Sequence, residues 1–252
     1  MLGYYSSLSS EVYDLDKPIG SSFGDIEYYQ ERLKSCKGPI LEPAAGTGRM
    51  LIPLLEKGFD VEGFDLSEEM LKHCEANCKK RGLHPELSVD RMETFKTDKR
   101  FDAIIIPTGT FLLLHERQQS IQALKNFFHH LADGGKLLVD LIFEPDIELG
   151  KVSTRKWTSQ NNDVITLEHK KVELDWIHQF SVSHNRYERW RKGSLIESEL
   201  ERIPIRWYGV DEFKDILEKV GFTDISVSAD YAYGKEPTHP GQVLTFEAIA
   251  DK

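Results

Sequence analysis

The chain has 252 residues, 40% of them hydrophobic and 29% charged, and its 32 basic and 42 acidic residues leave a formal net charge of −10. This composition excludes collagen, low-complexity disorder and a coiled coil, and the length fits one large domain or one domain with an inserted subdomain. The negative field disfavours general binding to nucleic acid, because it repels the phosphate backbone.

The sequence is typical of a cytoplasmic protein. Its longest apolar runs, such as 101–107 and 111–114, fall far below the roughly 20 residues that a membrane-spanning helix needs. The N-terminal residues lack the basic flank and apolar core of a signal peptide. Three cysteines cannot form a disulfide framework. Cys74 and Cys78 stand near His73, but a metal site would need further ligands, so none is predicted.

Up to residue 143, short apolar strands alternate with amphipathic helices, as is typical of a parallel sheet covered by helices. Helices are expected from Met50 onward, after an N-cap at Ser67, and from about Glu116 to 131 with His115 at the start of the last one. The pattern predicts strands at 39–41, 59–64, 86–90, 101–106 and 136–143.

The rhythm changes at Glu144. From 154 to 206 the residues alternate with period two, which predicts an antiparallel meander inserted into the α/β frame. A helix and two strands then complete the frame. The predicted organisation is one domain over 1–252, with an N-terminal cap segment at about 1–35 and an inserted β-subdomain at about 150–206. The inserted sheet could shape substrate access or form the contact of a homodimer.

The segment ILEPAAGTGR at 40–49 carries the most specific signal. Small residues such as Gly46 and Gly48 let the backbone approach a ligand, and the following helix start offers free N–H groups. A pyrophosphate gains nothing from the carboxylate of Glu42, whereas an ammonium group gains a charge-assisted hydrogen bond. Leu51 stands where a dinucleotide-binding turn has its third glycine or alanine. The predicted ligand is therefore amino-acid-like and positive at one end.

Acidic residues follow the next two strands. Asp65, 17 residues past Gly48, is placed to accept both hydroxyls of a ribose, whether that of a dinucleotide or of S-adenosylmethionine. Asp90, with Arg91 and Met92 after it, could place a carboxylate near an adenine amino group. The alternative for Asp65 and for Asp90 is a purely structural role. For Asp65 this role would be to accept hydrogen bonds at the start of the following helix.

In these motifs the chain resembles the class I S-adenosylmethionine-dependent methyltransferases, in particular the small-molecule branch with its sugar N-methyltransferase-like proteins. The segment from Glu42 to Arg49 matches the family's first motif, 64–71 matches the acid of the second strand with the helix after it, and 131–135 matches the turn before the fifth strand. The resemblance covers most of the chain. It implies a Rossmann-like α/β fold, with a seven-stranded, mostly parallel sheet that ends in an antiparallel hairpin, helices on both faces and an inserted antiparallel β-meander.

The same resemblance implies S-adenosyl-L-methionine as the cofactor. Glu42 and the backbone of the glycine-rich turn would hold the methionine part, and Asp65 the ribose. The adenine would lie between Leu66 and Met92. The whole set of implied cofactor-binding residues, of which the last two line the methyl-donor side, is Glu42, Ala44, Gly46, Thr47, Gly48, Arg49, Asp65, Leu66, Met70, Asp90, Arg91, Met92, Pro107 and Thr108.

The substrate side and the cap are less specified. The N-terminal tyrosines offer an apolar face and a hydroxyl that could cage a cation, or they could simply dock a surface helix. His115 could act as a base or be structural, and Arg206 could bind an anionic or sugar-like substrate or anchor the insertion. No catalytic residue is assigned. The candidates are Tyr4, Tyr5, Tyr13, Thr110, His115, Arg206, Trp207 and His239.

We therefore predict S-adenosylmethionine-dependent methyl transfer to an N or O nucleophile of a small molecule. The alternatives are a nicotinamide-dependent oxidoreductase, against which Glu42 argues, a protein that binds the cofactor without turnover, and an RNA methyltransferase. The basic, aromatic stretch 184–192 favours RNA, but as a strand it is expected to pair with acids such as Glu199 and Glu201. The residues after the fourth strand also differ from the Asn/Asp-Pro-Pro-aromatic motif of enzymes that methylate amino groups of nucleic acids.

Overall fold

The computed structural model describes residues 5–252, so the predicted cap residue Tyr4 lies outside the described part of the chain. Seven strands form one sheet in the order β10-β11-β5-β4-β1-β2-β3, and four strands form a second sheet in the order β6-β7-β8-β9. The strands are β1 (Ile40–Pro43), β2 (Val61–Asp65), β3 (Leu87–Val89), β4 (Phe101–Ile106), β5 (Leu131–Ile142), β6 (Val152–Thr158), β7 (Val164–Asp175), β8 (Phe180–Arg191), β9 (Ser194–Arg206), β10 (Thr223–Ala229) and β11 (Val243–Ala250).

The described residues also form six α-helices, of which α1 and α2 precede β1, and one short 3-10 turn. No helix among these residues is both long and apolar enough to cross a bilayer. The helices are α1 (Ser7–Asp16), α2 (Asp25–Arg32), α3 (Leu51–Glu56), α4 (Glu68–Lys79), α5 (Arg117–His130) and α6 (Val210–Val220), and the 3-10 turn is Thr110–Leu113.

The large sheet confirms the predicted fold class. Strands β1 to β5 run parallel to one another, whereas β11 runs antiparallel to both β5 and β10. In β4, Ile104 and Ile106 pack into the apolar cluster that contains α5 and α6. Ala103 and Ile105 pack into the other cluster, which contains α2, α3 and α4. Helices therefore cover both faces of the large sheet. Residues 103–106 of β4 are all apolar and buried because each side of the strand faces a helix layer.

Two local predictions differ from the structure. His115 does not begin a helix, because α5 starts at Arg117 and His115 lies in the link after the 3-10 turn. The predicted turn at 133–135 lies inside β5 as an irregularity, where pairing with β4 jumps from Leu131 to Lys136. Gly134 has a positive φ of 71°, which favours glycine there. A glycine pair thus kinks this strand without ending it.

The four-stranded sheet is antiparallel throughout and carries α1 on its inner face. Leu8 and Val12 of α1 pack with Ile165 and Tyr187 of the sheet in a separate apolar cluster. Carboxylates of β9 accept hydrogen bonds from the N–H and hydroxyl groups at the start of α1. Leu8 N, for example, donates to Glu199 at 2.9 Å. The helix start is thereby capped from the neighbouring sheet.

Candidate functional site

A cleft with about 790 Å³ of empty space opens beyond the carboxyl ends of β1, β2 and β3. The carboxyl edge of a parallel sheet is where such folds bind ligands. Predicted residues from the N-terminal segment, the turn after β1, the ends of β2 and β3 and the 3-10 turn meet here. The lining residues are Tyr5, Tyr13, Ala44, Gly46, Phe64, Asp65, Leu66, Ser67, Met70, Asp90, Arg91, Met92, Glu93, Thr110, Leu113 and Leu114.

The turn after β1 uses small residues for two different reasons. Ala44, Gly46 and Gly48 all have positive φ, which is uncommon for a residue with a side chain. A Cβ atom added at Gly46 would meet no protein atom within 4 Å, so this side of the turn is open. At Gly48 it would lie 2.9 Å from Cys74 Sγ. Gly46 therefore leaves room for a ligand, whereas Gly48 allows α4 to pack closely.

Asp65 joins the turn to α4. Gly46 N donates to its Oδ2 at 2.9 Å and Ser67 N donates to its Oδ1 at 2.8 Å. Burial raises the pKa of the Asp65 carboxyl, and hydrogen bonds from backbone N–H groups lower it. The Leu66 N–H also donates to this carboxylate, and because a carboxylate has about four acceptor sites, capacity remains for a further donor from the cleft. Asp65 is thus an acid at a helix start, which Ser67 N-caps as predicted, and it can also accept ligand hydroxyls.

Glu42 is a buried carboxylate with an unsatisfied oxygen. The residue is 3% exposed, and its Oε2 has no hydrogen-bond partner among the described residues. Burial raises the pKa of Glu42 well above its usual range, while the Arg49 guanidinium opposes the rise. The Thr47 hydroxyl is likewise buried without a partner in residues 5–252. Unsatisfied buried acceptors and donors are costly, so a ligand that supplies partners is favoured here.

Arg49 lies next to the cleft, where its guanidinium contacts the Tyr13 hydroxyl, but it is not part of the lining. Its guanidinium forms a buried ion pair with Asp25 and donates to the Ser21 carbonyl at 3.1 Å. It does not line the cleft, although the sequence resemblance places it among the cofactor-binding residues. Its position ties α2 to the turn after β1.

Aromatic rings from the N-terminal segment close one side of the cleft. The rings of Tyr5 and Tyr13 meet edge to face with centroids 6.0 Å apart. The Tyr5 carbonyl accepts a hydrogen bond of 2.6 Å from the Ser67 hydroxyl, which brings the segment to the end of β2. Burial raises the pKa of both phenols, so both stay neutral. The sequence alone indicated these tyrosines but not their Ser67 anchor.

A second cavity lies on the other side of the 3-10 turn, between the large sheet and the inserted one. Thr110 and Leu113 of this turn line the cleft, whereas Leu112 lines the second cavity. Two of the predicted site residues, Thr108 and Trp207, line the second cavity. Its lining residues are Thr108, Gly109, Leu112, Ile142, Phe143, Glu144, Ile147, Ser181, Ile205 and Trp207.

Asp140 positions the turn between the two cavities, and the sequence analysis missed it. Thr108 has a positive φ of 55°, and its N–H donates to Asp140 Oδ2 at 2.7 Å. The same carboxylate accepts hydroxyl hydrogen bonds from Tyr29, Tyr231 and Thr245. Burial raises the pKa of Asp140 to about 6. The signal was available, because an acid inside an apolar strand such as β5 needs a structural or functional reason.

Other candidates line neither cavity. His115 packs against Phe180 with ring centroids 5.8 Å apart. Arg206 is buried and donates to the His115 carbonyl at 3.0 Å, so it anchors the inserted sheet to the large one. His239 is exposed in the loop between β10 and β11. Pro107 is buried before the turn at Thr108.

The basic stretch of β8 is paired with acids, but not with the predicted ones. Arg189 contacts Glu11 and Glu197, Arg186 contacts Glu168, and further pairs involve Asp163. Glu199 and Glu201 do lie opposite Tyr187 and Asn185 of β8, but their carboxylates cap α1 instead of pairing with the arginines of β8. No three His, Cys, Asp or Glu side chains in residues 5–252 converge as metal ligands.

Comparisons with known proteins agree on one kind of chemistry. A family model described as a methyltransferase domain matches residues 40–135. A Bacillus subtilis (strain 168) protein with the name "Putative methyltransferase YqeM" is 30% identical over 217 residues, which are 86% of this chain and 85% of that protein. A glycine/sarcosine N-methyltransferase of Aphanothece halophytica is 28% identical over 194 residues, 76% of this chain and 69% of that protein.

Solved structures share the fold. An S-adenosylmethionine-dependent methyltransferase from Clostridium acetobutylicum superposes with a TM-score of 0.75 at 17% identity, covering 95% of this chain and 96% of the other. The sugar N-methyltransferase KedS8 from a Streptoalloteichus species gives a TM-score of 0.72 at 16% identity, covering 94% and 90%.

Proposed function

Because this chain belongs to the S-adenosylmethionine-dependent methyltransferases, we propose that it transfers a methyl group to a nitrogen atom of a small-molecule amine. The observation that carries this proposal is the pair of cavities that share the 3-10 turn Thr110–Leu113. One holds the groups that suit the cofactor, and the other opens beside Thr108 at the methyl-donor side. The glycine/sarcosine N-methyltransferases among the relatives favour nitrogen over oxygen as the nucleophile.

The residues of the cleft, together with Glu42, which is buried next to the turn and does not line the cleft, fit S-adenosyl-L-methionine. The unsatisfied Oε2 of Glu42 suits the ammonium group of the methionine part. The free lone pairs of Asp65 suit the two ribose hydroxyls, and Leu66 and Met92 offer apolar surface to the adenine. When bound, this cofactor supplies an electrophilic methyl group on a sulfonium.

The chain's contribution to the reaction is orientation and the exclusion of water. A bound cofactor would supply the methyl group: the substrate ammonium would first lose a proton to solvent, and the neutral amine would then form the C–N bond as the electrons of the C–S bond pass to sulfur. Asp140 fixes Thr108 next to the 3-10 turn that borders both cavities. Holding both groups in line is worth roughly 7–11 kcal/mol. A protein base is needed only where solvent cannot take the proton of the substrate ammonium.

Calorimetry followed by turnover tests the proposed function. The protein is titrated with S-adenosylmethionine, S-adenosylhomocysteine and NAD, and then supplied with matched amines and alcohols while S-adenosylhomocysteine formation is measured. Binding of the first two ligands and methylation of amines support the proposal. Binding of NAD alone would reject the cofactor. Methylation of alcohols only would reject the nitrogen nucleophile, and cofactor binding with no turnover would favour a protein that holds the cofactor without chemistry.

Glu42→Gln is expected to weaken cofactor binding and to stabilise the ligand-free protein. Affinity for S-adenosylhomocysteine should fall about 10- to 100-fold, because one charge-assisted hydrogen bond is lost. The raised pKa means that the folded state holds the Glu42 proton more tightly than the unfolded state. Its stabilising contribution is therefore present at low pH and is lost as the pH rises above the unfolded value of about 4.5. The variant should exceed the wild type in unfolding free energy at pH 7–8 and lose this advantage near pH 4.

Methylthioadenosine is the matched control ligand, since it has the adenine and ribose but no ammonium group. Its affinity should be equal for the wild type and Glu42→Gln. A similar loss of affinity for both ligands would show that the substitution distorts the cleft, and it would remove Glu42 as the partner of the ammonium.

RNA as the substrate is less well supported. The arginines of β8 have acidic partners, which reduces the positive surface available to phosphates. RNA binding that weakens steeply with salt would restore this alternative.

We also propose that 1–252 acts as one cytoplasmic domain, with 1–35 as the cap and 150–206 as the inserted subdomain. A homodimer through that insertion is supported by its long edge strand β9, on which Leu195, Ile196 and Leu200 are exposed. Sedimentation analysis tests the dimer, because a monomer at all concentrations would exclude it.

A further inference from the structure

A lysine of the inserted sheet carries a charge that is almost completely buried behind the second cavity. The side chain of Lys171 in β7 is 9% exposed. Its Nζ donates to the Ser181 hydroxyl at 3.2 Å and lies 2.7 Å from Glu144 Oε2. Buried ammonium groups are expensive unless an anion compensates them, so the carboxylate at this place is essential to the arrangement.

The cation and its partner are held very differently. Lys171 lies in β7, where the pairing with β8 shifts register directly after it, and its carbonyl accepts a hydrogen bond of 2.8 Å from Gly150 N. Glu144 belongs to the segment 143–148, which has neither helix nor strand, and its side chain is 56% exposed. The Glu144 carboxylate is already largely hydrated, so it can move into water without a desolvation penalty, whereas the Lys171 ammonium stays buried in the sheet. The site is thus a fixed cation with an exchangeable carboxylate.

The surroundings suit a small organic anion. Both partners of Lys171, Glu144 and Ser181, line the second cavity, and the other walls are mainly apolar, with Trp207 and Phe143 among them. Thr108 lies in the same lining, next to the turn that borders the cofactor cleft. Lys171 itself lies behind this lining, so a ligand reaches it only where Glu144 leaves, and the other end of that ligand would extend towards the cleft.

We propose that Lys171 anchors the substrate by a carboxylate group and that Glu144 occupies this position when substrate is absent. This inference rests on the proposed function and narrows its substrate class to small amines that carry one carboxylate, such as amino acids and their close derivatives. One ammonium and one hydroxyl match the single charge of a carboxylate. A phosphate ester carries about −1.5 to −2 at neutral pH and would leave charge uncompensated in this apolar cavity.

Matched pairs of amines test the anchor. S-Adenosylhomocysteine formation is measured with glycine and methylamine, β-alanine and ethylamine, phenylalanine and phenylethylamine, and phosphoethanolamine as the phosphate probe. The wild type should show the lower KM for the carboxylate-bearing member of its best pair. Lys171→Met should raise that KM about 10- to 100-fold, since a charge-assisted hydrogen bond is lost, and should leave the KM of the carboxylate-free partner unchanged.

Glu144→Gln is the complementary variant, because it removes the internal carboxylate without removing the anchor. It should lower the KM for the carboxylate-bearing amine, and acetate should inhibit the wild type by competing with that amine. These two results keep the inference testable if Lys171→Met fails to fold. Unchanged cofactor affinity in each variant, measured by calorimetry, shows that the cleft is intact.

The outcomes separate this inference from the proposed function. Methylation of amines with equal KM in each pair, an equal rise for both members in Lys171→Met, or a preference for phosphoethanolamine would overturn the carboxylate anchor alone. Cofactor binding without methylation of any amine would overturn both.

Discussion

Asp65→Ala is expected to reduce the affinity for S-adenosylmethionine and S-adenosylhomocysteine by more than about 100-fold, the largest effect on binding that we predict. A carboxylate that accepts two ribose hydroxyls makes two charge-assisted hydrogen bonds of about 1.5–3 kcal/mol each. Asp65 also ties Gly46 to the start of α4, so the variant loses part of the turn's rigidity. Calorimetric titration measures the effect. Methylthioadenosine should lose affinity as well, because it has the same ribose.

Asp102→Ala is the matched control. Asp102 also accepts hydrogen bonds from two backbone N–H groups, those of Lys37 and Gly38 at 2.9 and 2.7 Å, but it does so at the opposite end of the sheet. The Asp102→Ala variant should have a lower free energy of unfolding than the wild type and the same affinity for the cofactor. If both variants bound the cofactor equally well, Asp65 would be an acid of the helix start and nothing more.

Together, Asp65→Ala and Glu42→Gln divide the cofactor into parts. The first should weaken every ligand that contains the ribose, and the second only ligands that contain the ammonium group. The selective loss in Glu42→Gln cannot come from general loss of structure, which would weaken all ligands, and for Asp65→Ala the Asp102→Ala variant controls for such a loss. The two results together would therefore assign two of the predicted residues to two chemical groups without a bound structure.

The sequence allowed the frame to be predicted because its signals are local. The strand β4 follows from its apolar run at 103–106, and the end of α6 follows from Gly221, which has a left-handed conformation. The residues of the cleft follow from the same logic, since acids and small residues at strand ends of a parallel sheet converge on one edge.

What could not be predicted depends on contacts between distant segments. Lys171 and Glu144 are 27 positions apart, and no periodicity indicates that they meet. Position 48 requires glycine because a Cβ atom there would clash with Cys74, although the motif suggests contact with a ligand. Arg49 fits the motif equally well, yet the nearby Asp25 of α2 determines where its side chain lies. Tertiary partners decide such cases, and a pattern read along the chain does not contain them.

Arg49→Met is expected to lower the free energy of unfolding by about 3–5 kcal/mol, the largest loss of stability that we predict. The side chains of Arg49 and Asp25 are 4% and 0% exposed. Removing the guanidinium leaves the Asp25 carboxylate buried without its charged partner. It then keeps the hydrogen bonds from Phe23 N and the Ser22 hydroxyl. Asp25→Asn in the same chain should restore part of the loss, since the unpaired charge is then gone.

Arg155→Met provides the comparison that separates burial from pairing. Arg155 also pairs with an aspartate, Asp16, but its side chain is 56% exposed, so its loss should cost no more than about 1 kcal/mol. Equal losses in urea unfolding would mean that the Arg49 pair contributes no more than a surface pair. A larger loss for Arg49→Met, reduced by Asp25→Asn, would instead explain why the family's motif ends in arginine here: the pair holds α2 against the turn on which the cofactor cleft depends.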